Sequence, residues 1–184
     1  YLASRKVPLA PATAPELKFN ADPFSETARV IAITHADRAV WNAVLGISWF
    51  WFFGTVLIAQ LPIYARSTLG GDGSVYTLVL TLFSIGSGIG ALLCEKMSGK
   101  RVEIGLVPLG AFGLTAFGVD LYFARHGVAA VRGLDWLAFL RTAGSWRIVL
   151  DLTGIGVFAG FYVVPLFAFV QARAPRDKLS RIIA

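Results

Sequence analysis

Cysteine is almost missing from this sequence. Cys94 stands alone, so the chain can close no internal disulfide and offers no multi-cysteine metal site. Histidine is nearly as scarce, and His35 and His126 lie too far apart to read as a local ligand pair, so no metal, cofactor or catalytic residue is assigned. Charge is also sparse: Asp, Glu, Lys and Arg make up 15% of the 184 residues, against about 25% in an ordinary soluble domain. That scarcity excludes a soluble enzyme and a disordered chain alike. No secretory signal is expected, because the first long apolar run starts only near Ala39 and is too long for a signal's core. The chain begins at Tyr1, has a single methionine and opens with Ser4-Arg5-Lys6-Val7-Pro8-Leu9-Ala10-Pro11, which sets the expectation of a piece of a longer protein.

What the chain has in quantity is apolar surface: 56% hydrophobic and 13% aromatic residues, with a mean hydropathy of +0.67. About 20 apolar residues cross a bilayer, so the length divides into several spans with short loops. The net charge of +6 would suggest nucleic acid in a soluble protein, but here the basic residues sit between apolar runs and fit a positive-inside bias; no nucleic acid is expected. The expected fold is all-α, with four transmembrane helices.

Four stretches poor in charge define these spans. Residues 39–65 hold no charge and include Ile47-Ser48-Trp49-Phe50-Trp51-Phe52-Phe53, and at about 1.5 Å per residue they exceed the roughly 30 Å hydrocarbon core. Residues 73–94 are likewise uncharged, with small residues toward the C-terminal half. A third span, 104–124, contains Asp120 near one end, and a fourth, 148–172, contains only Asp151. Residues 1–38 then form a cytoplasmic linker with an amphipathic helix, 39–172 the four-span domain, and 173–184 a cytoplasmic loop entering a further helix. Four spans put both ends on one side. Twelve Lys and Arg residues fall on that side and five on the other, so both ends are expected in the cytoplasm.

Two further segments are amphipathic but do not span. Asp22-Pro23 followed by Ser25 and Glu26 offers a capped helix start, with Val30, Ile31 and Ile33 interleaved with polar residues. In the loop from Arg125 to Arg147, Leu134, Trp136, Leu137, Phe139 and Leu140 suit an interfacial turn or helix.

Glycines recur at spacing four in the second and fourth spans, Gly86 with Gly90 and Gly156 with Gly160. They could be mistaken for nucleotide-binding glycines, but no strand or polar cleft surrounds them. In lipid this spacing lets helix backbones approach closely, so these four are expected to pack helices. Pro62, Pro108 and Pro165 lie within or at the ends of spans, where each removes a backbone hydrogen bond. Asp120 and Asp151 are the carboxylates within spans, and a charge inside a membrane is costly enough to raise a functional role on a substrate path. The plainer reading is an interfacial ion pair, since Asp120 precedes Arg125 by five residues and Asp151 follows Arg147 by four. Asn42 and Gln60 in the first span are further substrate-path candidates, or simple bridges between helices.

Between the second and third spans runs Cys94-Glu95-Lys96-Met97-Ser98-Gly99-Lys100-Arg101-Val102-Glu103. A glycine-rich helix, an acidic-basic pair, then Gly-Lys-Arg and a new apolar helix resembles the cytoplasmic gating loop of the major facilitator superfamily, where charges latch neighbouring helices. Glu95 stands where that loop usually carries aspartate. The resemblance makes Glu95, Lys96, Gly99, Lys100 and Arg101 gating-loop candidates.

Longer strings narrow the likeness: Gly46-Ile47-Ser48-Trp49-Phe50-Trp51-Phe52, Leu92-Leu93-Cys94-Glu95, Val102-Glu103-Ile104-Gly105-Leu106-Val107-Pro108-Leu109-Gly110, Asp120-Leu121-Tyr122-Phe123-Ala124 and Gly160-Phe161-Tyr162-Val163-Val164-Pro165-Leu166. Together they resemble the second half of the lysophospholipid transporter branch of that superfamily, including forms fused to a phospholipid acyltransferase, over about residues 24 to 184. The resemblance implies helices seven to ten of a twelve-helix fold. It also implies movement of lysophospholipid across the bacterial inner membrane for reacylation, with the amino-terminal half of the transporter as partner. The acyltransferase itself is not expected within this chain. Such an enzyme needs His followed five residues later by Asp, whereas Val40 follows His35 and Val131 follows His126 at that offset. Two alternatives remain open: a membrane domain anchoring a fused acyltransferase, and a small oligomeric four-helix protein.

Overall fold

The computed structural model describes residues 22–99, 101–125 and 132–173. The polar N-terminal stretch, Lys100 and the tail from residue 174 lie outside the described residues. In chain order the elements are α1 (Pro23–His35), α2 (Arg38–Ile63) running into a π-helical turn (Tyr64–Thr68), α3 (Gly73–Ser98), α4 (Leu106–Ala124), α5 (Trp136–Arg141) and α6 (Ser145–Arg173). There is no strand among the described residues; a single bridge, Gly71 to Leu134, ties two loops together. Four helices, α2 with its π-helical turn, α3, α4 and α6, are long and apolar enough to cross a membrane.

Aspartate starts most of these helices. Asp22, Asp37, Asp72 and Asp135 each precede a helix in extended backbone and accept hydrogen bonds from the first-turn amides, for instance Ser74 N to Asp72 at 2.7 Å and Ala138 N to Asp135 at 2.7 Å. Within the spans, hydroxyls donate back to carbonyls one turn earlier, as in Thr81 to Thr77 (2.8 Å), Ser84 to Leu80 (2.8 Å) and Thr153 to Val149 (2.8 Å). This satisfies them without water. Pro108 is the third residue of α4, where an amide has no intrahelical partner, so it costs the helix no bond. Pro62 lies inside α2, two residues before the π-helical turn.

The helices overrun the charge-free stretches. An uncharged run ends at Cys94, yet α3 continues to Ser98, because exposed Glu95 and Lys96 do not disturb backbone hydrogen bonding. The helix stops where Gly99 turns left-handed at φ 56°. Likewise α6 starts at Ser145 and carries Arg147 in its first turn, whereas α4 begins inside its apolar stretch, at Leu106 rather than Ile104.

The bundle is organised around α6. Of its most apolar window 44% is buried, against 6% for α2. Helices α3 and α4 pack along α6 extensively, α2 more lightly. Leu61, Ala65, Leu69, Val75, Val79, Phe139, Ile148 and Leu152 form an apolar core at the end where α6 begins, and α5 contributes the buried Phe139. Ala43, Leu166 and Val170 close α2 onto α6 at the opposite end.

That opposite end is clasped by Arg173, whose Nε donates to Asp37 at 2.7 Å. The Arg173 guanidinium and the Ala39 amide hold the Asp37 carboxyl below the ordinary carboxylate range. A depressed value means that its stabilising contribution is present above the unfolded-state value of about 3.9 and is lost as pH falls through the lower folded value. Acidification is therefore expected to lower the protection of the Ala39 and Val40 amides, both capped by Asp37, against hydrogen exchange relative to an unfolded chain at the same pH. Asp37→Ala should show the same loss of protection already at neutral pH; unchanged protection in that variant would refute the clasp.

Candidate functional site

Glycine faces set where the helices stand. Gly86 and Gly90 of α3 lie directly against α6: a Cβ at Gly86 would meet the Thr153 carbonyl and come within 3.2 Å of Gly156 Cα, and one at Gly90 would meet the backbone of Val157. Reciprocally, a Cβ at Gly156 would stand 2.9 Å from Ser87 N, and one at Gly160 2.7 Å from Ala91 N. The four spacing-four glycines thus form one backbone-to-backbone seam. On the other side of α6, Gly110 faces the Tyr162 backbone, Gly113 the Phe158 ring and Gly154 the Phe117 ring. Sequence reasoning misses these three, although the short spacing of Gly110 and Gly113 is a signal that could have found two of them.

With α4 drawn against α6 and α2 packed on α6 more lightly, a lateral cleft opens between α2 and α4. It measures about 230 Å³ and is lined by Trp49, Phe50 and Phe53 of α2, Ala111, Leu114 and Thr115 of α4, and Tyr162 of α6. Phe50 stacks on Tyr162 with ring centroids 5.8 Å apart. The two hydroxyls are already turned to backbone: Tyr162 donates to the Gly46 carbonyl at 3.4 Å, and Thr115 to the Ala111 carbonyl at 2.9 Å. Among the described residues, none that lines this cleft is charged. Its chemistry is therefore that of an alkyl or aromatic acceptor, with a volume below the roughly 300–1,000 Å³ of pockets for whole drug-sized ligands.

A polar cluster lies toward the end where α6 begins. Arg147 grips Asp120 in a fork, Nε to Oδ2 at 2.9 Å and a terminal nitrogen to Oδ1 at 2.5 Å. Asp151, one turn along α6 from Arg147, is only 2% exposed, and its carboxyl meets that of Asp120. Asp151 Oδ2 is buried without a hydrogen-bond partner among the described residues, as is the hydroxyl of nearby Tyr64. The structure thus joins Asp120 and Asp151, and its arginine goes across helices to Asp120 rather than along α6 to Asp151. Arg125 lies over the Tyr122 ring at 4.1 Å.

The other sequence candidates fall elsewhere. Asn42 and Gln60 are exposed on α2. Their separation of 18 residues is five helical turns, so they share one face, with exposed Trp49, Phe53 and Val56 between them. Glu95, Lys96, Gly99 and Arg101 are all exposed where α3 meets the following loop. Glu95 and Arg101, with Glu103, line a second cavity of about 220 Å³ against Val164, Pro165 and Ala168 of α6. Among the described residues no group of His, Cys, Asp and Glu could hold a metal ion.

A chain of four spanning helices with an apolar lateral cleft is a multi-pass membrane protein. It is similar to a lysophospholipid transporter. The relative is LplT of Enterobacter sp. (strain 638), 25% identical over 146 residues, which are 76% of this chain and 32% of that protein. The chain therefore spans about a third of the relative's length. No protein-family model matches the sequence, and no solved structure matches it.

Proposed function

We propose that this chain is part of a longer secondary transporter that moves lysophospholipid across the bacterial inner membrane, toward the cytoplasmic leaflet where it is reacylated. The observation that carries this reading is the aromatic cleft between α2 and α4, open sideways and free of charge, which suits the acyl chain of a single-chain amphiphile. The similarity to LplT supports the substrate class. In this reading the four spans are helices seven to ten of a major facilitator fold. The head group binds between this half and the amino-terminal half, as transporters of repeated halves bind near the midplane at their interface. The side carrying α1 and Arg173 is cytoplasmic, as the excess of Lys and Arg there favours.

The test is uptake of labelled lysophosphatidylethanolamine by vesicles holding the full-length protein, and by vesicles holding residues 1–184 alone. Uptake by the first and none by the second is expected, because alternating access needs two halves rocking about a shared site. A full-length rate equal to that of protein-free vesicles would overturn the function; uptake by the short chain would overturn its partial nature. The loop after α3 acts as the gate in this scheme. Neutralising Lys100 and Arg101 together is expected to slow uptake severalfold at normal expression, and unchanged rates would remove that role.

A further inference from the structure

The polar cluster between α4 and α6 has a chemical feature that lipid binding in the cleft does not use. Asp151 is the buried charged residue of the described core, 2% exposed, with one carboxyl oxygen that receives no hydrogen bond. The group it meets, Asp120, is another carboxyl, and two carboxylates offer each other only acceptors. The guanidinium of Arg147 is already spent on Asp120 through two hydrogen bonds. Among the described residues, the Tyr64 hydroxyl from the π-helical turn, itself unpartnered, also stands near the pair, with Arg125 at the end of α4 beside it. With both carboxyls ionised, the trio of Asp120, Asp151 and Arg147 would carry a net negative charge with half of it buried and unpaired, an arrangement of high cost. One proton between the carboxyls makes the trio neutral. It also converts an acceptor–acceptor contact into an O–H···O hydrogen bond, as in other pairs of carboxyls that share a site.

We propose that Asp120 and Asp151 form a single-proton binding site, with Arg147 fixing Asp120 as the acceptor and Asp151 as the buried member. The proton comes from water and returns to it. The side chains of Arg147 and Asp120 are 52% and 42% exposed, so the site opens to the medium at the end of the bundle where α6 begins, while Asp151 is closed off from the rest. Proton occupancy then decides whether the junction of α4 and α6 is neutral or negative. This holds whether or not the cleft carries lysophospholipid.

The experiment is infrared spectroscopy of the full-length protein in lipid, titrated from mildly acid to alkaline pH and compared with Asp151→Asn and Asp120→Asn. A protonated-carboxyl carbonyl band at mildly acid pH, where ordinary carboxyls are already ionised, that disappears as pH rises is expected in the wild type. Each variant should lack that band, since the carboxyl left behind ionises against Arg147. A wild type without the band, or a band that survives in both variants, overturns the site. Should a variant fail to fold, dicyclohexylcarbodiimide labelling of the wild type, mapped by peptide mass, decides instead. Modification at Asp120 or Asp151 that falls as pH rises supports the site, and no modification at either overturns it. Neither readout involves transport, so this proposal and the transporter reading can fail separately.

Discussion

Gly90→Leu is expected to yield little or no folded protein. The residue sits where α3 crosses α6, and any Cβ there would run into the backbone of Val157, which cannot swing aside as a flexible side chain would. The helices must separate, and the contacts on either side of the crossing, Gly86 to Gly156 and Ala91 to Gly160, separate with them. Over-packing typically costs about 1–3 kcal/mol where side chains can adjust, and a backbone clash lies at or beyond the upper end. Between helices in lipid, close packing is the main source of affinity, so little else compensates. Gly88 provides the control: it belongs to the same helix, but a Cβ there meets nothing within 4 Å. Gly88→Leu should leave the yield of monodisperse protein and its thermal midpoint near wild type, whereas Gly90→Leu should lose both. Equal behaviour of the two variants would show that the seam does not hold the bundle together.

Ala111→Trp should abolish lysophospholipid uptake while the protein still folds. Ala111 lines the cleft opposite Trp49, Phe50 and Phe53, and an indole placed there fills much of the roughly 230 Å³ that an acyl chain would otherwise enter. The backbone of α4 is held to α6 elsewhere, through Gly110 and Gly113, so the cleft can be filled without disturbing that contact. Uptake by the full-length protein is expected to fall at least about tenfold, the loss that 1.4 kcal/mol of binding free energy brings. Phe112→Trp, at a neighbouring position that is 72% exposed, should transport at the wild-type rate. Normal uptake by the Ala111 variant would exclude the cleft from the substrate's route.

The number and type of the spans were legible because a charge inside the hydrocarbon core is so costly that its absence over about 20 residues marks a crossing almost by itself. The ends of the helices were less so. Charge marks where lipid stops, whereas a helix stops where its backbone can no longer bond, as at Gly99. The polar pair shows a second limit. Sequence offsets suggested Arg125 for Asp120 and Arg147 for Asp151, since neighbours on one helix are all that a linear reading offers. The fork from Arg147 to Asp120 crosses between helices, and it was hidden because α6 starts earlier than its apolar stretch. Glycine spacing singled out Gly86, Gly90, Gly156 and Gly160, but nothing in one dimension says that the first pair faces the second. The cleft was least legible of all. Ala111, Leu114 and Thr115 are unremarkable helix residues, and the space beside them exists only because α2 and α4 both lean on α6 without closing on each other.

The central position of α6 also bears on how the protein is made. A ribosome delivers α3 and α4 to the membrane first, yet their glycine faces are shaped for a helix that comes last in the described chain. Until α6 arrives, these two segments have little to hold each other and must wait as separate helices in the bilayer. Assembly is therefore deferred to the insertion of α6, which completes both seams in one step. A nascent chain halted before residue 145 would contain three of the four spans and almost none of the packing.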